Sequence, residues 1–187
     1  RAAGGHRGRC VMGVEPRGPD RSEARSAALD ALKKNGLPTR RVEAFHYTDL
    51  RSLLTGKLAP ATRPSANGAS EWAADYNRLV NAIRLPVMNG HHFSDLGDEL
   101  PAGVTILPGA PVPQHDIDLG NPACTVDAIN TLFAHDGMTI EVDANVSIDT
   151  PIGIANQYRG DVAGIAASRN RAEIADGATA LILWLLS

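Results

Sequence analysis

The sequence predicts an α+β chain, mainly β in its second half, in which a helical N-terminal domain leads into the first coils of a β-helix. Three observations carry this. Before residue 84 apolar residues recur at helical spacing between capping residues. After Gly137 they alternate with polar residues in short runs, and tight polar corners separate those runs. The expected organisation is a disordered lead-in over 1–19 and a helical domain over 20–83. A mixed strand, loop and helix connection over 84–136 follows, then the start of a β-helix core over 137–187.

The lead-in, RAAGGHRGRCVMGVEPRGPD, is rich in Gly, Arg and Pro and has no apolar period. It has no continuous apolar segment of the kind a secretory signal needs. The first helix is expected from Asp20 to Asn35, with Asp20 and Glu23 in a capping-box pattern and Gly36 at the C-terminal stop. Ala24, Ala28, Ala31 and Leu32 share one small face. Leu37-Pro38 ends it, and Thr48 is the expected cap of a short helix holding Leu50, Leu53 and Leu54. Ala59 to Ser70, made of small and turn-forming residues, predicts a linker. A second helix is expected over Ser70–Ala82, with Trp72, Tyr76, Leu79 and Val80 near one side.

The connection begins with two short strands around Asn89-Gly90, a dipeptide suited to a type I′ hairpin turn. Val104–Leu107 predicts another strand, and Pro108–Pro122 a loop. Thr125 is the expected cap of a helix whose apolar side is Val126, Ile129, Leu132 and Phe133, ending near Asp136-Gly137. Beyond it the series Ile140/Val146/Ile152 and Val142/Ile148/Ile154 each step by six, across the corners Asp143-Ala-Asn145 and Asp149-Thr-Pro151. Ala175-Asp-Gly177 is a further turn before an apolar run over Ala178–Leu185. An antiparallel meander is the alternative topology. The chain stops inside the apolar run ATALILWLLS, which predicts a fragment truncated within a larger fold.

The totals narrow the function. The formal net charge of -3 over 187 residues argues against a general nucleic-acid binder. No window holds the roughly 18 apolar residues of a membrane span. Two cysteines, Cys10 and Cys124, match neither a disulfide framework nor a zinc motif, which fits a cytoplasmic protein. Of the six histidines, His91 and His92 adjoin on opposite strand faces, and His46, His115 and His135 stand apart. A metal site needs three or four converging ligands, so none is expected. Cys124 precedes a helix, where a thiol can be activated, but a half-buried structural role is the expectation. GVEPRG, NGHH and DGMT lack the phosphate-loop pattern, and there is no nucleophile elbow. No catalytic, cofactor-binding or metal residue is assigned.

Residues 36–54, GLPTRRVEAFHYTDLRSLL, concentrate special residues without a catalytic arrangement. Their expected role is architectural: Phe45 and Tyr47 anchor the short helix by burial, and Glu43 pairs with Arg40 or Arg41. The stretch resembles the signature at the start of the SufD family, scaffold proteins of SUF-system iron–sulfur cluster assembly. Gly36 to Arg40, Glu43, Tyr47, Thr48 and Leu50 match. Phe45 stands where tryptophan is usual, and His46 where lysine or arginine is usual. RLPVMNGHHF (84–93) is similar to the family's strand–Asn/Asp-Gly–strand element, and DAINTLFAHDG (127–137) to its Asn-x-Ala-Phe-x-x-Asp-Gly stretch. Val142–Ile152 and Asn170–Ile182 resemble the strands that follow, so the resemblance spans about residues 22–183.

The resemblance implies a helical domain followed by a right-handed parallel β-helix, within a longer protein. It implies a non-catalytic scaffold, cytoplasmic and not an enzyme, acting with SufB-like and SufC-like (ATPase) subunits through a C-terminal half that this chain lacks. No cofactor is expected in this fragment, the iron–sulfur cluster being assembled by the full complex. No nucleic-acid or membrane partner is implied. The six-residue step suggests a rival, a left-handed β-helix acyltransferase; a third possibility, a generic carbohydrate-binding β-solenoid, predicts exposed aromatics on the strands, of which the sequence has almost none.

Overall fold

The computed structural model describes residues 21–54, 59–75, 81–109, 111, 118, 121–160 and 164–186. In chain order its helices are α1 (Arg21–Asn35), α2 (Leu50–Leu53), α3 (Ala66–Asp75) and α4 (Thr125–Phe133). Its strands are β1 (Ala59–Pro60), β2 (Ile83–Met88), β3 (His91–His92), β4 (Val104–Pro108), β5 (Asp136–Val142), β6 (Ile152–Gln157), β7 (Gly164–Ile165), β8 (Ser168–Ile174) and β9 (Ile182–Leu186). The fold is mixed α/β, with the strands in three sheets. It divides into two compact units, one from residues 1–56 and 112–132 and one from 57–111 and 133–187. The lead-in at 1–19, His115 and the expected Tyr76, Leu79 and Val80 positions lie outside the described residues.

In the first unit α1 buries Ala24 and Ala28, the small face expected of it. Gly36 follows at φ +64°, the left-handed stop. The cap of α2 differs from expectation: Asp49, not Thr48, accepts from the Arg51 N–H at 3.1 Å. Asp49 is one residue closer to the helix, where its carboxylate reaches the orphan amide. At α4 the capping is also displaced. Asn121 accepts from the Ala123 N–H at 2.9 Å and opens a 3-10 turn, Pro122–Cys124, that runs into the helix. Thr125 is therefore helical. The buried side of α4 is Thr125, Ala128 and Thr131, while Val126 is half exposed. The threonines tolerate burial because each hydroxyl donates within the helix, Thr125 to the Pro122 carbonyl and Thr131 to the Asp127 carbonyl.

The second unit mixes pairings: β1–β7, β2–β6, β5–β8 and β6–β9 are parallel, and β2–β3 and β4–β5 antiparallel. One sheet has the order β3-β2-β6-β9, another β4-β5-β8, and β1 pairs only with β7. The β2–β3 hairpin turns at Asn89 and Gly90, both at positive φ, as the Asn-Gly dipeptide predicts. The expected 59–70 linker is not a plain loop. Its first residues form β1, parallel to β7, and Ser65 caps α3, which starts at Ala66. α4 ends at Phe133, and Asp136-Gly137 opens β5 instead of closing the helix.

The alternating residues of the second half form the core. Leu85, Val87, Val104, Met138, Ile140, Val142, Ile152 and Ile154 make one buried cluster. Val146 and Ile148 pack against it from an irregular segment, joined to the rest by a single bridge, Ser147 to Thr179. Each fully buried isoleucine here contributes about 1.5–3 kcal/mol of apolar transfer. The register is regular. β5 pairs with β8 at a spacing of 32 residues, from Asp136–Ser168 to Val142–Ile174. The same spacing continues through the corner: Asn145 donates to the Asp176 carbonyl, and the Ser147 and Thr179 hydroxyls meet at 2.9 Å. Asn145 (φ 60°) and Gly177 (φ 72°) occupy equivalent left-handed positions in successive corners. β6 pairs with β9 at a spacing of 30, from Ile152–Ile182 to Asn156–Leu186. The two-residue difference falls where the Asp149-Thr-Pro151 corner is longer than its successor.

Candidate functional site

The strongest convergence of polar groups in the second unit surrounds Asp136, the first residue of β5. Its side chain receives donors from three separated stretches of sequence. Oδ1 accepts the Gly137 N–H at 2.8 Å. Oδ2 accepts the His92 N–H at 3.1 Å and Arg63 Nη1 at 3.2 Å. His91 Nδ1 stands 3.8 Å from the same oxygen, beyond hydrogen-bond distance but close enough for an ion pair when the ring is protonated. Arg63 is held on three sides: Nη2 donates to the His92 carbonyl at 3.2 Å, and its guanidinium lies 4.3 Å from the centre of the Phe93 ring.

The local sequence explains this placement. The hairpin turn brings His91, His92 and Phe93 back alongside β2, and strand alternation leaves the His91 ring partly buried, 19% exposed, while His92 is buried. Asn89 ties the turn down. Its Nδ2 donates to the Thr62 and Arg159 carbonyls, and its Oδ1 accepts the Arg159 N–H. The segment carrying Arg63 is thus bound to the hairpin at Thr62 as well. Both histidines are pushed below the ordinary imidazole range. For His91 burial is the main cause, with the Arg63 charge adding to it and Asp136 opposing. For His92 burial again leads, with Asp136 opposing it.

The expected site residues are scattered. His46 and Tyr47 lie in the first unit with their rings edge-to-face, 4.8 Å apart. Phe45 is buried, as expected of an anchor, but Tyr47 is 94% exposed and anchors nothing. The physical reason is the 3-10 turn Glu43–Phe45: about three residues per turn put positions two apart on different sides. Glu43 forms no ion pair with Arg40 or Arg41 among the described residues. Cys124 is buried at the end of its 3-10 turn. His135 is exposed, close enough to His91 for its charge to be felt there. Cys10 and His115 lie outside the described residues. Among the described residues no three His, Cys, Asp or Glu side chains converge as metal ligands. None of their helices is long and apolar enough to cross a membrane.

Sequence reasoning missed Arg63, Asp136 and the Asn89 side chain. One signal pointed to Arg63: it is the sole charge between Lys57 and Glu71, set in a stretch of small residues. Chemically the cluster is a fastening. Oδ2 is filled by its two donors, and the groups of the cluster that can change charge near neutral pH are the His91 and His92 rings. Set against known proteins, the chain matches no family model and no curated protein.

Proposed function

We propose that the chain is a SufD-like scaffold: a helical segment followed by the first coils of a right-handed parallel β-helix, acting without catalysis in SUF-type iron–sulfur cluster assembly. The observation that carries the reading is the stacking at a constant 32 residues from Asp136 to Thr179, through strand and corner alike. Short strands with tight corners that stack in parallel are the geometry of a β-solenoid coil. The motifs that carry the resemblance lie at turns and strand starts of this chain. Asn89-Gly90 makes the hairpin turn, Asp136-Gly137 opens the first long strand of the stack, and Ala175-Asp-Gly177 turns its successor. The 30-residue register of β6 and β9 belongs to the same succession.

The two registers, 32 for β5–β8 and 30 for β6–β9, differ from one another, so the stacking does not follow one constant number of six-residue steps such as Ile140, Val146 and Ile152. This argues against the acyltransferase rival. A scaffold is recognised by what it assembles, so the test is a chimera. Residues 36–183 replace the matching segment of an authentic SufD family protein, which is then co-expressed with SufB and SufC partners. The expected result is a soluble three-component complex with cluster assembly retained. A folded chimera that enters no complex overturns the proposal.

A further inference from the structure

We propose that Arg63 and Asp136 form a latch holding residues 59–65 against the β2–β3 hairpin, and that His91 opens this latch on acidification.

The geometry poses a competition at one oxygen. Asp136 Oδ2 already accepts from the His92 N–H and from Arg63 Nη1, at 3.1 and 3.2 Å. A carboxylate oxygen offers about two lone-pair sites. A neutral His91, 3.8 Å away, makes no claim on it. A protonated ring has a donor on Nδ1 and a positive charge, so it is drawn to that oxygen and repels the guanidinium beside it. The groups facing His91 are accounted for on every side. Arg63 and the Ala61 backbone come from the 59–65 segment, and Asp136 and His135 from the start of β5. Of these only Asp136 and the Ala61 backbone favour the cation, while Arg63, His135 and burial oppose it. His92, on the hairpin itself, faces Asp136, Arg63 and Asp95. Its ring is more buried than that of His91, and it reaches Asp136 through its backbone amide, so its part in the latch does not depend on its charge.

Arg63 is the member that yields. Its side chain is half exposed, so a displaced guanidinium finds water, whereas the His92 amide is fixed by the hairpin. Losing Asp136 frees Arg63 from the His92 carbonyl and from the Phe93 ring as well, since one guanidinium makes all three contacts. The 59–65 segment then keeps the two-residue β1–β7 pairing, the Ala61 N–H to Ile165 carbonyl bond, the Asn89 bond to Thr62 and the His91 contact with the Ala61 backbone. These are few bonds for a stretch of seven residues, and local opening follows the number of such bonds.

Hydrogen exchange of the 187-residue chain tests the latch, read as protection factors corrected for the intrinsic pH dependence of exchange. In the wild-type chain, protection of 59–65 is expected to fall severalfold between about pH 7.5 and about pH 5, the range that spans the ordinary imidazole value and the lowered one. Protection of β5 and β6 should hold. His91→Gln should keep the high value at both pH values, because glutamine cannot acquire the charge. Arg63→Ala should show the low value at both. His135→Gln should behave as wild type. Wild-type protection that is the same at both pH values overturns the proposal. So does His91→Gln protection that still falls with pH, which would assign the effect to another group.

Discussion

Replacing Gly137 by alanine should break the β5–β8 ladder at its start. A Cβ built on Gly137 would collide with the Arg169 carbonyl oxygen and lie 2.7 Å from its carbon. An ordinary contact for a Cβ begins near 3.4 Å, so the strands must part by at least about 0.7 Å, enough to carry a bond near 3 Å past hydrogen-bond distance. β5 cannot retreat, because β4 is paired along its other edge from Pro108–Met138 to Val104–Val142. Bonds near 3 Å stretched by that amount are lost. At risk are the local ladder bonds and the Met138 N–H to Asn170 Oδ1 bond at 3.1 Å. Two or three bonds at about 1 kcal/mol each, with partial exposure of the fully buried Met138, give a loss of about 3–4 kcal/mol. Gly153→Ala is the matched control. Its Cβ would meet the flexible tip of Leu185 at 2.9 Å, which can rotate away, so a loss under about 1 kcal/mol is expected. Urea denaturation of the two variants measures the difference. Equal midpoints would show that the close approach of Gly137 to Arg169 is not real.

Two further outcomes are expected. Phe45→Ala should cost about 3–5 kcal/mol, since the ring is buried, while Tyr47→Ala should stay within about 0.5 kcal/mol of wild type; paired denaturation curves distinguish the two neighbours. Global stability should fall on acidification below about pH 6.5. His91 and His92 both have their folded-state values lowered, so the stability they lend is complete above the ordinary imidazole value and is lost as pH falls through the lowered ones. Thermal midpoints across a pH series measure this, and a His91→Gln, His92→Gln double variant should flatten the curve.

What the sequence made legible was local. Asn89-Gly90 specified its turn because both residues accept positive φ, and two neighbouring residues contain all of that information. The alternation at Ile140, Val142, Ile152 and Ile154 marked buried positions because period two is a property of a strand by itself. The stacking distance was not legible. The six-residue step between Ile140 and Ile152 measures the walk around the core, while the partner of Ile140 is Ala172 and that of Ile152 is Ile182. Nor was β1, whose two residues pair 105 positions away, at Gly164 and Ile165. The start of α3 was hidden by Pro64, Asn67 and Gly68, which weaken a helical reading although Ser65 supplies its cap; the helix expected from Ser70 overlaps α3 over 70–75.

The Asp136 cluster was invisible for a related reason, and its make-up says why it gathers where it does. Arg63, His91 and Asp136 are separated by 28 and 45 positions, so no spacing rule joins them. What joins them is β2, which is followed at once by the hairpin and paired in parallel with β6 along its other edge. The hairpin therefore returns to one fixed place, and the first residue of β5 meets it there. Asp136 must satisfy the His92 amide, because an unpaired buried N–H costs about 1–3 kcal/mol. The carboxylate that does so brings a charge to a half-buried place, and Arg63 offsets that charge. Each of these groups follows from the one before it, as architecture. The His91 ring does not. It makes no hydrogen bond to the carboxylate, and the hairpin forms through its backbone. Both histidines can change charge on acidification, but His92 reaches the carboxylate through its amide, so His91 is the one whose ring charge bears directly on the oxygen that Arg63 holds, which is why a fastening can serve as a latch.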